Sequence, residues 1–292
     1  MNVIELWGLE CRLCNCNYKT SEIKIQICPN IKDHEIQLKS MFDKYLPPSM
    51  MHKINSPIHN QCEENNSNDR CVAMCFADLV QYYNNSTCTM SYDSIWDQRK
   101  SIDVQGMYIF DALNIVQTIG CTTEAEYHLY KKWLYTENSD QTIKDTVLED
   151  NTNKSPMITY EDIVDMPTFY LADECGPIFT SYGLKIGLTF LGPCILKLPC
   201  HKNMGKFWLQ SRDFDSSRYS LLPPSSLSHS VIVVGFKENG FIIRNSWGTS
   251  WGVNGLGKIS EYDFITYNQF CGYFLSTSNL EASLNKFTNC QK

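Results

Sequence analysis

Two apolar, β-branched runs stand out late in the chain, Val231-Ile232-Val233-Val234-Gly235-Phe236 and Phe241-Ile242-Ile243. Lys237-Glu238-Asn239-Gly240 separates them, so the pattern predicts a β-hairpin. A shorter apolar strand, Cys194 to Leu198, is introduced by Gly192-Pro193 and closed by Pro199. Earlier in the chain the pattern is helical. From Cys71 to about Tyr83 only Asp78 and Gln81 interrupt an apolar stretch, which predicts a buried helix. A second helix is expected from Tyr108 to Thr118, with Gly120 in a helix-stop position. Leu46-Pro47-Pro48-Ser49 marks a boundary, because consecutive prolines stop regular structure. Thr136 to Lys154 is polar and acid-leaning and reads as a solvated insertion. Helices lie early and strands late, the α+β division of a helical part and a sheet part.

Composition narrows the functional classes. The chain has 292 residues, 43% of them hydrophobic and 12% aromatic, as expected of a folded protein. Its net charge of −7 argues against a nucleic-acid partner, which needs a clustered basic surface. No run of 18 or more apolar residues exists to span a membrane. Met1 to Gly8 lacks the basic start and long apolar stretch of a secretory signal. Fourteen cysteines with no export signal are expected to remain thiols, which points to an intracellular reducing compartment, cytoplasm or virion. Abundant Asn, Ile and Tyr suggest an AT-rich genome such as that of a large DNA virus or a protist. Cys11, Cys14, Cys16 and Cys28 offer four sulfurs at close spacing, which could hold zinc. The second Cys-x2-Cys knuckle of the usual zinc pattern is missing, so a cysteine-rich extension packed on the main body is the favoured reading, with no metal or other cofactor.

Candidate chemistry centres on the hairpin. His229 opens its first strand, and Asn245 closes its second, so both side chains are expected at one end. An imidazole held by a neighbouring amide is half of a nucleophilic triad. The other half is sought at a helix tip, where unpaired N–H groups and the helix dipole stabilise a thiolate. In Asn68-Asp69-Arg70-Cys71-Val72-Ala73-Met74-Cys75, Asn68 or Asp69 is a natural N-cap, and Cys71 then falls in the first turn. Cys75 sits one turn deeper, where a thiol is usually inert packing. His52 and His59 have no partner pattern and read as surface residues, and Trp251 reads as core.

Four blocks together resemble the papain-like cysteine peptidases: Leu46-Pro47-Pro48-Ser49, Pro57-Ile58-His59-Asn60-Gln61, Cys71-Val72-Ala73-Met74, and Ser228-His229-Ser230 with Asn245-Ser246-Trp247-Gly248-Thr249-Ser250-Trp251-Gly252. The order Cys, His, Asn is the family's. The resemblance implies a two-lobe α+β fold, a helical lobe plus an antiparallel sheet or barrel lobe with the active-site cleft between them. It places an N-terminal extension at 1–45 and the peptidase domain at 46–292, with the helical lobe at about 56–165 and the β lobe at about 166–275. It implies Cys71 as nucleophile, His229 as general base and then acid, and Asn245 as the group that orients the imidazole under the Trp247 ring. Gln61 and the Cys71 backbone N–H would bind the oxyanion. Gly106, Met107 and Tyr108 resemble the strip that pairs with the substrate backbone and lines an apolar pocket.

The implied activity is hydrolysis of peptide bonds through a thiolate and an acyl-enzyme, on a polypeptide substrate, with viral structural proteins among the candidate partners. Departures from the family pattern are plain. The gap between Gln61 and Cys71 is longer than usual, with Asn65 as a substitute oxyanion donor. Cys62 replaces a glycine, Val72 the commoner tryptophan, and Asn68 and Asp103 stand where a disulfide would be. If Cys75 were the nucleophile, a core position would fall on Asp78, an unpaired buried carboxylate, which is costly. The competing reading is a catalytically silent binding or structural virion protein that keeps the fold.

Overall fold

The computed structural model describes residues 36, 39, 43–61, 69–100, 106–137, 168–169, 174–178, 181–190, 192–199, 228–238, 240–261, 264 and 272–276. Two compact units are formed: a sheet unit from residues within 1–53, 58–65 and 172–292, and a helical unit from residues within 54–57 and 66–171. Cys11, Cys14, Cys16, Cys28, Asn65 and most of the tract from Thr136 to Lys154 lie outside the described residues.

In the helical unit, α1 runs from Cys71 to Tyr83, matching the expected helix. Its buried face includes Ala73, Phe76, Leu79 and Val80. Asp78, whose burial without a partner was the cost expected of a Cys75 nucleophile, is buried but accepts a hydrogen bond from the Ser56 hydroxyl. Polar burial here is therefore satisfied, and it carries no argument against the deeper cysteine. α2 (Tyr92–Trp96) follows, capped by Ser91, whose hydroxyl accepts from the Ser94 N–H at 3.2 Å. α3 (Ile109–Thr118) ends as expected: Gly120 takes φ +94, and its N–H reaches the Ile115 carbonyl at 2.9 Å. β2 (Cys121–Thr122) pairs antiparallel with β3 (Thr168–Phe169).

α4 (Glu124–Glu137) occupies a stretch for which no element was expected and overlaps the expected insertion only at Thr136 and Glu137. A signal for it was present. Thr123-x-x-Glu126 has the capping-box sequence: the Glu126 N–H donates to Thr123 Oγ1 at 3.3 Å, while Glu126 Oε2 accepts from the Thr123 hydroxyl at 3.0 Å rather than from its backbone N–H. The helix is polar on much of its surface, so its apolar periodicity is too weak to see. Among the described residues no helix is long and apolar enough to cross a membrane.

The sheet unit is a seven-stranded antiparallel sheet in the order β4 (Glu174–Ile178), β9 (Gly272–Ser276), β5 (Cys194–Pro199), β6 (Ser228–Lys237), β7 (Gly240–Arg244), β8 (Leu256–Ser260), with β1 (Ser49–Met51) also pairing β6. The expected hairpin is β6–β7, in which Lys237 pairs Gly240 and Glu238 takes φ +51 in the turn. α5 (Ser181–Phe190), which no sequence signal had marked, packs on β6. Leu184, Leu196, Val231, Val233, Phe241, Ile243 and Trp251 form the buried core of this unit, with Leu46 and Met50 packed against it.

A β-bulge between Val233 and Gly235 shifts the register of β6 against β7. Here β1 crosses closely: a Cβ on Gly235 would lie 2.1 Å from the Met50 carbonyl oxygen and 2.8 Å from Met51 Cα. Backbone cannot yield as a flexible side chain can. Gly235→Ala is therefore expected to destabilise the sheet unit by about 1–3 kcal/mol, read as a lower urea midpoint. An unchanged midpoint would show that β1 does not pack where the structure puts it.

Candidate active site

His229 lies near the start of β6, paired with Leu198 of β5, and is buried at 3% exposure. Asn245 follows the last residue of β7. The hairpin brings them together as expected: His229 Nε2 and Asn245 Oδ1 are 2.7 Å apart. The Ser246 backbone N–H donates to the same Oδ1 at 2.8 Å, which identifies that atom as the acceptor end of the amide. Nε2 must then carry the imidazole hydrogen, and in the neutral ring Nδ1 holds the lone pair. Burial pushes the His229 pKa down to about 4, against a smaller upward pull from the Asn245 hydrogen bond. At neutral pH the ring is a neutral base whose basic nitrogen is Nδ1.

Trp247 stacks on the imidazole, with centroids 4.7 Å apart and planes 26° apart. Trp251, buried in the core as expected, meets Trp247 edge-on at 6.1 Å. The rings keep water from the His229–Asn245 bond, which strengthens it. Asn245 Nδ2 is buried and has no hydrogen-bond partner among the described residues.

Gln61 joins this group through pairing that sequence distance hides. Residues 59–61 run antiparallel to 246–248: Gly248 N–H donates to the His59 carbonyl at 2.8 Å, and Gln61 N–H to the Ser246 carbonyl at 2.9 Å. The Ser246 hydroxyl donates to Gln61 Oε1 at 2.6 Å, leaving Nε2 as the donor end of that side chain. Gly248 has φ +78, a conformation that favours glycine, and a Cβ there would press on the Asn60 side chain, 2.8 Å away at Nδ2. Ser246 is the residue whose role the sequence reading missed. Its place between Asn245 and Trp247 was the available signal. His59, expected at the surface, is buried at 8%, because this ladder lays its segment on the sheet unit. His52 is likewise half-buried rather than exposed, with Nε2 2.6 Å from the Leu188 carbonyl, and burial lowers its pKa.

Cys71 belongs to the helical unit and is the first residue of α1, buried at 8%. The first i→i−4 bond of that helix runs from Met74 N–H to the Arg70 carbonyl at 3.0 Å, so the Cys71 N–H precedes the helical ladder. The cap falls on Arg70 rather than on Asn68 or Asp69, and Arg70 makes no side-chain capping bond. Cys75 is buried at 4%, one turn inside. Gly106 takes φ +92, and a Cβ there would lie 3.8 Å from the Asp69 carbonyl oxygen, which sets this glycine beside the start of α1. Met107 is buried, whereas Tyr108, at the N-cap of α3, is 56% exposed. Among the described residues no group of three or more His, Cys, Asp or Glu side chains is placed to hold a metal ion.

Known structures resemble the chain in fold, and known sequences match a short C-terminal stretch of it. Xylellain, a cysteine protease from Xylella fastidiosa, superposes with a TM-score of 0.58 at 18% identity, over 80% of this chain and 87% of its own. The fold is papain-like. In sequence, residues 210–273 of the papain-like chain match the model of the papain family cysteine protease, a span that includes His229, Asn245 and Trp247. Papain from Carica papaya is 38% identical over 53 residues, 18% of this chain and 15% of papain's. Procathepsin L from Felis catus is 30% identical over 86 residues, 27% of this chain and 25% of its own. The aligned stretches thus span a quarter or less of these curated relatives, whereas the likeness of fold extends over most of the papain-like chain.

Proposed function

We propose that the chain is a cysteine peptidase that hydrolyses peptide bonds through an acyl-enzyme, with Cys71 as nucleophile and His229 as base. The observation that carries this is the His229 imidazole, neutral and buried, bonded through Nε2 to Asn245 Oδ1 beneath Trp247. An imidazole fixed in one tautomer is suited to taking a proton at Nδ1. A helix-tip thiol is suited to losing one.

In this reading His229 Nδ1 removes the thiol proton of Cys71, and the sulfur attacks the scissile carbonyl carbon. The oxyanion of the tetrahedral intermediate accepts from the Cys71 backbone N–H and from Gln61 Nε2, which Ser246 orients by holding Oε1. The imidazolium returns its proton to the leaving amine as the C–N bond breaks. Water, deprotonated by the same imidazole, then cleaves the thioester and restores the thiol. Gly106 and Met107 are the proposed contacts for the substrate backbone and for a residue on the acyl side, with Tyr108 at the rim. The substrate is a polypeptide. A reducing compartment is proposed with it, on the expectation that the fourteen cysteines remain thiols.

A fluorogenic peptide assay combined with an epoxide thiol inhibitor tests the proposal. Turnover and covalent labelling at Cys71 are expected, and Gln61→Ala is expected to lower kcat by about 10²-fold, the typical loss of one oxyanion donor. A folded protein with neither turnover nor label would instead support a silent scaffold.

A further inference from the structure

Helix N-termini are commonly closed by a Ser, Thr, Asp or Asn side chain that accepts from the N2 or N3 N–H. α1 is closed differently. Its cap, Arg70, makes no capping bond, and its side chain is turned to other use. The guanidinium Nη1 donates to Asp93 Oδ1 in the first turn of α2. Its Cζ lies 6.0 Å from the Tyr92 ring centroid and 5.5 Å from that of Trp96. Arg70 and Asp93 are only 23% and 27% exposed, so solvent screens this charge less than it would on an open surface. The consequence for Cys71 follows from chemistry. A carboxylate cap would set negative charge beside the thiol, whereas arginine sets positive charge one residue away.

We propose that Arg70, held by Asp93 and the α2 rings, is a positioning residue whose charge favours the thiolate of Cys71. The inference rests on the reading of Cys71 as the nucleophile. Among the other described charges around α1, Asp69 directly precedes Arg70 and carries the opposing sign. On α2 and just beyond it are Asp93, Asp97 and Arg99, and Arg99 stacks on Trp96 at 3.8 Å. From α4, Lys131 pairs with Asp97 at 2.8 Å, and both Lys131 and His128 act on Asp93. α3 contributes Asp111 in its first turn, and α1 itself carries Asp78, bonded to Ser56. Burial pushes the Asp93 carboxyl up, and Arg70 provides the largest opposing pull. Asp93 therefore both anchors Arg70 and partly offsets its charge.

The test is the pH dependence of Cys71 alkylation by iodoacetamide in the full chain, resolved by peptide mass spectrometry. Arg70→Gln is expected to raise the midpoint by about one pH unit and leave the high-pH plateau rate unchanged. Asp93→Asn is expected to move the midpoint down, because it removes the offsetting charge. Arg70→Lys is expected to fall between wild type and Arg70→Gln, because lysine keeps charge without the planar fork. A mere structural clamp predicts that Arg70→Gln and Asp93→Asn act in the same direction, and that result overturns the inference. Coincident wild-type and Arg70→Gln titrations also overturn it. If Arg70→Gln does not fold, the direction of the Asp93→Asn shift decides. Peptide turnover is read separately. An Arg70-dependent midpoint without turnover leaves this inference standing and sinks the peptidase reading, whereas turnover with an Arg70-independent midpoint does the reverse.

Discussion

Cys71→Ala is expected to lower kcat/KM for a peptide substrate by about 10⁵-fold, His229→Ala by a comparable factor, and the double variant by no more than either. The reason is that in the proposed mechanism thiol and imidazole act as one device. Without the base the sulfur remains largely protonated, and without the sulfur the base has nothing to activate. Each deletion removes the whole covalent route and leaves only the residual effect of oxyanion binding and substrate positioning. Cys75→Ala serves as the control. Cys75 is buried one turn inside α1, away from the helix tip, so its thiol contributes packing and its loss is expected to leave turnover near wild type. Single-turnover kinetics on the four proteins checks this. Additive losses, or turnover that vanishes with Cys75 and survives in Cys71→Ala, would remove Cys71 from the mechanism.

Acid is expected to destabilise the sheet unit through His229. The folded-state pKa is pushed down to about 4, whereas an exposed histidine titrates near 6.5. Between those values the unfolded chain binds a proton that the folded protein does not, so stability rises with pH across this window. Read downward, the folded state loses stability as pH falls below about 6.5, and the loss levels off once His229 itself protonates near 4. The full difference is about 3 kcal/mol. Urea titrations at a series of pH values should show this slope in wild type, and His229→Gln should flatten it. The His229 ring signal in NMR should titrate near 4. Parallel slopes in the two proteins would mean that the imidazole is more hydrated than the Trp247 stack and the buried Asn245 bond imply.

The chain alone determined several features. The β6–β7 hairpin, the α1 and α3 helices, and the grouping of His229 with Asn245 all follow from local pattern, because β-branched runs, a turn and an apolar helix are short-range properties. Local pattern was weaker where packing decides. α4 was hidden by its polar surface, although the Thr123-x-x-Glu126 capping-box sequence announced it. The burial of His59, the tether from Ser246 to Gln61 across 185 residues, and the pairing of Asp78 with Ser56 were decided only by tertiary structure. The same holds for Arg70, which no sequence pattern marked and which the fold shows as a charge held by Asp93. The physical reason is common to all of these. A hydrogen bond or ion pair between segments distant in sequence leaves no periodicity in either one, and its partners are known only once the chain has folded.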